Sequence, residues 1–260
     1  MELVFLGSGT GAPSARRGAP GLAVLTAGAT ILIDSGSGTL RQLERAGLSY
    51  NRLDHILYTH FHPDHTGDLV AYLFATQYFA AFTRAEPAVI HGPEGLLRLY
   101  EALRSAYGRW IEPPEDRVIW HELPIGRATA FSCGPLAVES RPVPHNPESL
   151  GYRLTEPGGP TLVVSGDTDY GPDLIELARG ADLFVTECSF PGEIKVDGHL
   201  TAPLAGLAAR EAGVKALALT HFYPETEGHD LAAQAAREFD GPIILAEDLL
   251  RLPVPPRRDR

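Results

Sequence analysis

The sequence predicts one compact α/β domain, an α+β mixture in which two β-sheets are covered by helices. Three observations lead there. Short β-type runs recur along most of the 260 residues. The first half holds many such runs and few helical patterns, whereas the last third alternates strand with helix. No low-complexity linker and no fixed-period repeat divides the chain. Residues 1–260 therefore read as a single domain, with a frayed tail at 253–260, PVPPRRDR.

The first strand runs fall at residues 3–6, 22–26, 30–34, 55–59, 88–91 and 118–123. Each is a short stretch of apolar and β-branched residues. Seven more follow at 128–131, 136–142, 151–155, 161–165, 181–186, 216–220 and 242–245. Helical spacing of apolar residues lies between some of them, at 39–46, 68–82, 94–107, 172–178, 202–211 and 230–238. The helix over 68–82 is rich in aromatics. Most of that surface is expected in the core, with some left for a homodimer interface or an apolar pocket wall.

Composition narrows the function classes. Hydrophobic residues at 44% and charged residues at 21% exclude a disordered or fibrous chain. Two cysteines, Cys133 and Cys188, exclude a disulfide scaffold and a Cys-rich metal module. A net charge of −11 argues against general nucleic-acid binding, which normally requires a basic face. Met1–Gly7 lacks the basic start and long apolar run of a secretory signal, and no run approaches the ~18 apolar residues of a membrane span. A cytoplasmic protein with no membrane partner is the expectation. Gly7-Ser8-Gly9-Thr10-Gly11 follows a strand but opens no helix and lacks a Gly-Lys-Ser/Thr, so it reads as an inter-strand loop rather than a phosphate cradle.

The chain has 10 histidines. Three of them fall in Thr59-His60-Phe61-His62-Pro63-Asp64-His65, a strand-to-helix loop. Three imidazoles and a carboxylate so close together cannot all be buried without partners. Neutral imidazole and carboxylate are the ligands that zinc takes in hydrolytic sites. The spacing suits two adjacent metals. His145, Asp167 and His221 each end an apolar strand. Taken singly, either histidine could be structural, and Asp167 could cap the helix near Pro172. His55, His91, His121 and His229 sit in no motif and read as structural.

In this order, after His-x-His-x-Asp-His, these residues resemble the metal-ligand set of the metallo-β-lactamase superfamily. The resemblance extends to Leu3-Val4-Phe5-Leu6-Gly7-Ser8-Gly9-Thr10-Gly11 and Ile31-Leu32-Ile33-Asp34-Ser35-Gly36. It implies a four-layer αββα sandwich and two Zn²⁺ per chain, with Mn²⁺ or Fe as alternatives. His60, His62 and His145 would hold one metal, Asp64, His65 and His221 the other, and Asp167 would bridge them. Asp34 would brace the loop by hydrogen bonds. Two metals ~3.5–4 Å apart can share a hydroxide and clamp both oxygens of a phosphoryl displacement.

Two further stretches, Thr186-Glu187-Cys188-Ser189-Phe190 and Asp197-Gly198-His199-Leu200-Thr201-Ala202, are similar to the Glu and His-x-Thr motifs of the ribonuclease Z branch. There the histidine assists the leaving group and the glutamate orients it. Asp64, His199 and Glu187 are accordingly the catalytic candidates. The plainer reading makes His199 and Thr201 a helix start and Glu187 a surface acid. Ribonuclease Z enzymes usually insert a long tRNA-gripping arm between the third His motif and the bridging Asp. Here 22 residues separate His145 from Asp167, and two strands and a turn fill them. Leu200 also replaces the usual small residue. The expected substrate is a small or nucleotide-sized phosphodiester. The alternatives are a sulfatase, lactonase or other ester hydrolase, then tRNA 3′-end processing, then a metal-binding scaffold without turnover. Arg16, Arg17, Arg104, Arg109 and Arg117 could offer a local phosphate contact.

Overall fold

In a computed structural model, residues 1–77 and 86–254 are described. One sheet holds β1 (Glu2–Gly7), β2 (Gly21–Leu25), β3 (Thr30–Ile33), β4 (His55–Leu57), β5 (Ala88–Pro93), β6 (Val118–Leu123) and β14 (Arg251–Pro253), in the order β14-β1-β2-β3-β4-β5-β6. The other holds β7 (Thr129–Cys133), β8 (Leu136–Pro142), β9 (Leu150–Thr155), β10 (Thr161–Val164), β11 (Leu183–Glu187), β12 (Leu217–Thr220) and β13 (Ile243–Leu245), ordered β13-β12-β11-β10-β9-β8-β7. Helices α1 (Thr39–Arg45), α2 (Pro63–Thr66), α3 (Leu69–Ala75) and α4 (Leu96–Tyr107) accompany the first sheet. Helices α5 (Pro172–Ala178), α6 (Ala202–Ala212) and α7 (Leu231–Ala235) accompany the second.

The central strands β1, β3, β10, β11 and β12 are apolar and buried on both faces, which is why each sheet is covered twice there. Strands β6, β7 and β8 instead alternate more buried with more exposed residues. Leu3 and Phe5 of β1 and Ile31 and Ile33 of β3 join Val138, Tyr152 and Leu162 of the opposite sheet in one core. Their neighbours Val4, Leu6 and Leu32 point the other way, onto Leu43, Leu69, Tyr72 and Leu96 of the helices. Leu174, Leu177, Ala205 and Ala209 cover the outer face of the second sheet. The result is a four-layer αββα sandwich. No helix among the described residues is long and apolar enough to cross a membrane.

Each sheet has a parallel half, β3 to β6 in one and β10 to β13 in the other. Polar residues at the carboxyl ends of such strands line the crevice where α/β sheets bind ligands. Asp34 follows β3, His60 follows β4, Asp167 follows β10, Glu187 ends β11 and His221 follows β12. His145 follows β8 at the same edge.

Three expectations are corrected. The tail starts later than residue 253. Pro253 pairs with Glu2 at the end of β14, and Val254 is buried, its N–H donating to the Met1 carbonyl. A three-residue edge strand ending in proline has no periodicity to read; residues 255–260 lie outside those described. The helix expected over 68–82 starts as expected, with Asp68 as its N-cap residue, whose carbonyl accepts from the Tyr72 N–H, but it ends at Ala75, and Thr76 and Gln77 follow as a turn. Its expected stretch 78–82 lies outside the described residues. The helix expected over 230–238 is shorter, Leu231–Ala235, capped by the Asp230 carboxylate on the Ala233 N–H.

Candidate metal centre

The loop after β4 and the strand ends of the second sheet bring the seven proposed ligands to one place. Ligand atoms of His60, His62, His145 and Asp167 lie within 4.8 Å of one another, and so do those of Asp64, His65 and His221. His60, His65, Asp167 and His221 are buried.

Each of the five imidazoles has one nitrogen committed outward, which leaves the other facing the centre. Thr59 donates its hydroxyl to Asp34 Oδ2 at 2.8 Å, so its oxygen accepts from His60 Nδ1 at 3.0 Å. His65 Nδ1 donates to Asp34 Oδ2 at 2.8 Å. His145 Nδ1 donates to the Gly198 carbonyl at 2.9 Å. Ser189 gives its hydroxyl proton to Glu187 Oε2, so its oxygen accepts from His221 Nδ1 at 3.0 Å. His62 is turned the other way. Its Nε2 meets the Asn146 side-chain amide at 3.0 Å and its Nδ1 lies 3.4 Å from His145 Nε2. Such outer partners fix the tautomer of an imidazole ligand and aim its lone pair.

Asp167 stands between the two groups. Its Oδ2 lies 3.8 Å from His60 Nε2 and 3.9 Å from His145 Nε2. Its Oδ1 lies 3.2 Å from His65 Nε2 and 3.3 Å from His221 Nε2. Asp64 Oδ2, 3.7 Å from His221 Nε2 and 4.0 Å from His65 Nε2, also accepts from the Gly11 N–H at 2.9 Å. The Gly-rich opening loop thus reaches the centre through its backbone.

Four buried atoms here have no hydrogen-bond partner, His60 Nε2, His65 Nε2, His221 Nε2 and Asp167 Oδ1. Orphaned buried polar atoms are costly and rare, and four converging ones demand an explanation. Nitrogen and oxygen donors 3–4 Å apart fit around cations bonded at ~2.0–2.2 Å. The electrostatics agree. Burial first, then the neighbouring imidazoles, pushes His60 down to about 2, which keeps its Nε2 lone pair available. Burial opposes a charge on His65, yet Asp167 and Asp34 hold its proton affinity well above the usual range, so the position favours a cation. The residues present fit a divalent metal.

Beside this centre, His199 Nδ1 lies 2.9 Å from Glu187 Oε1. Glu187 is 1% exposed and also accepts from the N–H groups of Thr168 at 2.7 Å and Leu200 at 3.0 Å, so it is no surface acid. A ring nitrogen of His199 lies within 4.8 Å of the ligand atoms of Asp167 and His221. Burial lowers the His199 proton affinity and Glu187 more than restores it.

The family profile of the β-lactamase superfamily domain matches residues 29–222. The chain belongs to that superfamily. It is 36% identical over 215 residues to an uncharacterized protein of Mycobacterium tuberculosis (82% of this chain, 77% of the relative). It is 33% identical to a ribonuclease Z of Streptomyces coelicolor, covering 99% of both chains. That aligned span is 313 positions, so the Streptomyces protein is longer than the 260 residues here. The metallo-β-lactamase fold protein YhfI from Bacillus subtilis superposes with a TM-score of 0.84 at 23% identity, over 96% of this chain and 98% of that one. The chain is a ribonuclease Z-like, metal-dependent hydrolase.

Several residues that support this hydrolase site escape a sequence reading. Thr59, Asn146 and Ser189 hold imidazoles in place, but a Thr, Asn or Ser in a loop carries no distinctive spacing. Ser189 sits within the Glu187 motif, which was the one available hint. Among the five candidate arginines, Arg17 and Arg104 are held by protein partners. Arg17 Nη1 donates to Ser8 Oγ and the Ala246 carbonyl, and its guanidinium lies over Phe222. Arg104 pairs with Glu101 and Glu112.

His55, His91 and His121 form a second cluster, with Cys133 3.9 Å from His91 Nε2. Hydrogen bonding explains it without a metal. The Gly134 N–H donates to His55 Nε2 at 3.0 Å, so His55 Nδ1 carries the proton and donates to His91 Nε2 at 3.1 Å. His91 Nδ1 then donates to His121 Nδ1 at 2.9 Å. These three imidazoles are a structural relay.

Proposed function

We propose that the chain hydrolyses a small or nucleotide-sized phosphodiester with two divalent cations, zinc foremost and manganese or iron as alternatives. His60, His62 and His145 would hold one, Asp64, His65 and His221 the other, with Asp167 shared. The observation that carries this reading is the division of Asp167, whose two oxygens face two separate sets of imidazoles. Bound there, the cations would supply Lewis acidity at the phosphoryl oxygens and lower the pKa of the attacking water.

The chain's own groups do the rest. Asp34, through Thr59 and His65, keeps two imidazoles from turning. Glu187 engages His199 Nδ1, leaves Nε2–H to protonate the departing alkoxide, and steadies the charge on the ring before transfer. A cleft of about 440 Å³ opens beside Asp64, bordered by Thr10, Ser14, Arg17, Ser37 and Pro63. Small-molecule sites span about 300–1,000 Å³. The 22-residue interval before Asp167 contains only β9, a turn and β10, which together with the −11 charge favours a compact substrate over a folded RNA.

Zinc- or manganese-loaded protein should contain close to two metal ions per chain and hydrolyse bis(p-nitrophenyl) phosphate. Failure on that diester, with turnover of a lactone or sulfate ester, would move the protein to the other ester hydrolases. Cleavage of a precursor tRNA would restore tRNA processing.

A further inference from the structure

Lys195 is one of two lysines in the chain, the other being Lys215. It lies at the rim of the site, and all three of its ammonium protons are engaged. Nζ donates to Asp169 Oδ2 at 2.7 Å, to the Val196 carbonyl at 2.7 Å and to the His199 carbonyl at 3.0 Å. A surface lysine normally keeps its head in water, because fixing its four-carbon stem costs rotamer entropy. With no donor left for a substrate oxygen, Lys195 is committed to the loop that carries His199.

Asp169 is the other half of the arrangement. Its Oδ2 accepts from Lys195 and also from the Gly198 N–H at 3.0 Å. The Gly198 carbonyl in turn accepts from His145 Nδ1 at 2.9 Å. The Asp169 N–H donates to the Pro144 carbonyl, next to His145. One residue, two after Asp167, therefore ties together the loops bearing Asp167, His145 and His199. Its carboxylate reaches Lys195 and Gly198, and its backbone N–H reaches Pro144. Gly198 permits this approach. Its φ of +84° suits glycine, and a Cβ there would come within 3.1 Å of His145 Nδ1.

We infer that the Asp169–Lys195 pair is a positioning device that holds His199 against Glu187 and, through Gly198, holds His145 in register with it. The inference rests on the phosphodiesterase reading above. A general acid must stand within hydrogen-bond reach of the leaving oxygen, and displacement of about 1 Å can cost on the order of a hundredfold. Loosening the 195–199 loop should therefore slow reactions that need a proton on the leaving group far more than those that do not.

The test uses full-length zinc-loaded protein, wild type and Lys195→Met, on methyl phenyl phosphate and methyl p-nitrophenyl phosphate. These share one reacting centre and differ in leaving group. The expected kcat loss in K195M is about tenfold larger for the phenyl ester, with KM within about twofold, and Lys195→Arg should recover most of it. Hydrogen exchange at the Gly198 and His199 amides should quicken in K195M, while metal content stays equal to wild type. Equal losses on both esters, or unchanged exchange at both amides, would overturn the inference. If the wild type cleaves neither ester, the phosphodiesterase reading fails by itself, and the exchange measurement alone decides whether the clamp exists. Asp169→Asn provides a second variant, which retains an acceptor for Gly198 but removes the ion pair.

Discussion

His199 Nδ1 and Glu187 Oε1 lie 2.9 Å apart, and the carboxylate is almost wholly enclosed. That contact leaves Nε2 as the imidazole's only outward-facing nitrogen and fixes which proton can be given away. Replacing His199 by Ala should reduce kcat for a poor leaving group by about 10²- to 10⁴-fold, the usual worth of a positioned acid. An activated p-nitrophenyl ester should lose far less. Equal losses on both would remove His199 from proton transfer.

The same pair sets a pH dependence. Burial disfavours the imidazolium of His199, and the Glu187 carboxylate overrides it, so the pKa stands above its ordinary value. An acid works in its protonated form, so this contribution is present below that pKa and fades as pH rises through it. Glu187→Gln removes the charge with little change of shape. The alkaline limb of kcat against pH should then move to lower pH. An unmoved limb would mean that another group governs it.

Asp34 reaches two imidazoles at once, His65 directly and His60 through Thr59. Its φ of +57° lies in the left-handed region, which asparagine tolerates about as well as aspartate. Asp34→Asn should therefore fold while losing the charge that orients both rings. Zinc affinity is expected to fall about 10- to 100-fold, the usual cost of removing an outer partner. Competition with a chromophoric chelator measures this directly. Unchanged affinity would show that the Asp34 charge is dispensable to the centre.

The fold is readable because its central strands are apolar on both faces and its helices are short and amphipathic, so Leu3 to Leu6 already imply cover on two sides. The histidine loop was readable because chance rarely places three imidazoles and an aspartate so close. Single strand-end residues such as His145 and His221 gained meaning only from their order along the chain. The Asn146 contact with His62 and the Asp169 contacts with Lys195 and Gly198 were not readable. They join loops distant in sequence, and nothing local distinguishes an Asn or Asp that will meet a histidine from one that will meet water. The strand β14 is lost for a different reason, since its pairing with β1 depends on the chain returning at Pro253 to meet Glu2.

The relay of His55, His91 and His121 supplies a stability prediction independent of any metal. Burial first, then the neighbouring imidazoles, pushes His91 down to about 3, so it stays neutral in the folded protein. Unfolded, it would take up a proton near its ordinary value of about 6.5. Its contribution is therefore fully present above pH ~6.5 and is lost as pH falls from there toward 3. At pH 5 the loss amounts to about 2 kcal/mol. Urea unfolding of wild type and His91→Phe at pH 7.5, 6 and 5 compares the relay with one that lacks its central imidazole and that imidazole's coupling to His55 and His121. The Phe131 ring, stacked 4.9 Å from His91, offers the replacement an apolar neighbour. The wild type should lose more stability on acidification than the variant, and parallel pH dependences would show that His91 is not held neutral by the relay.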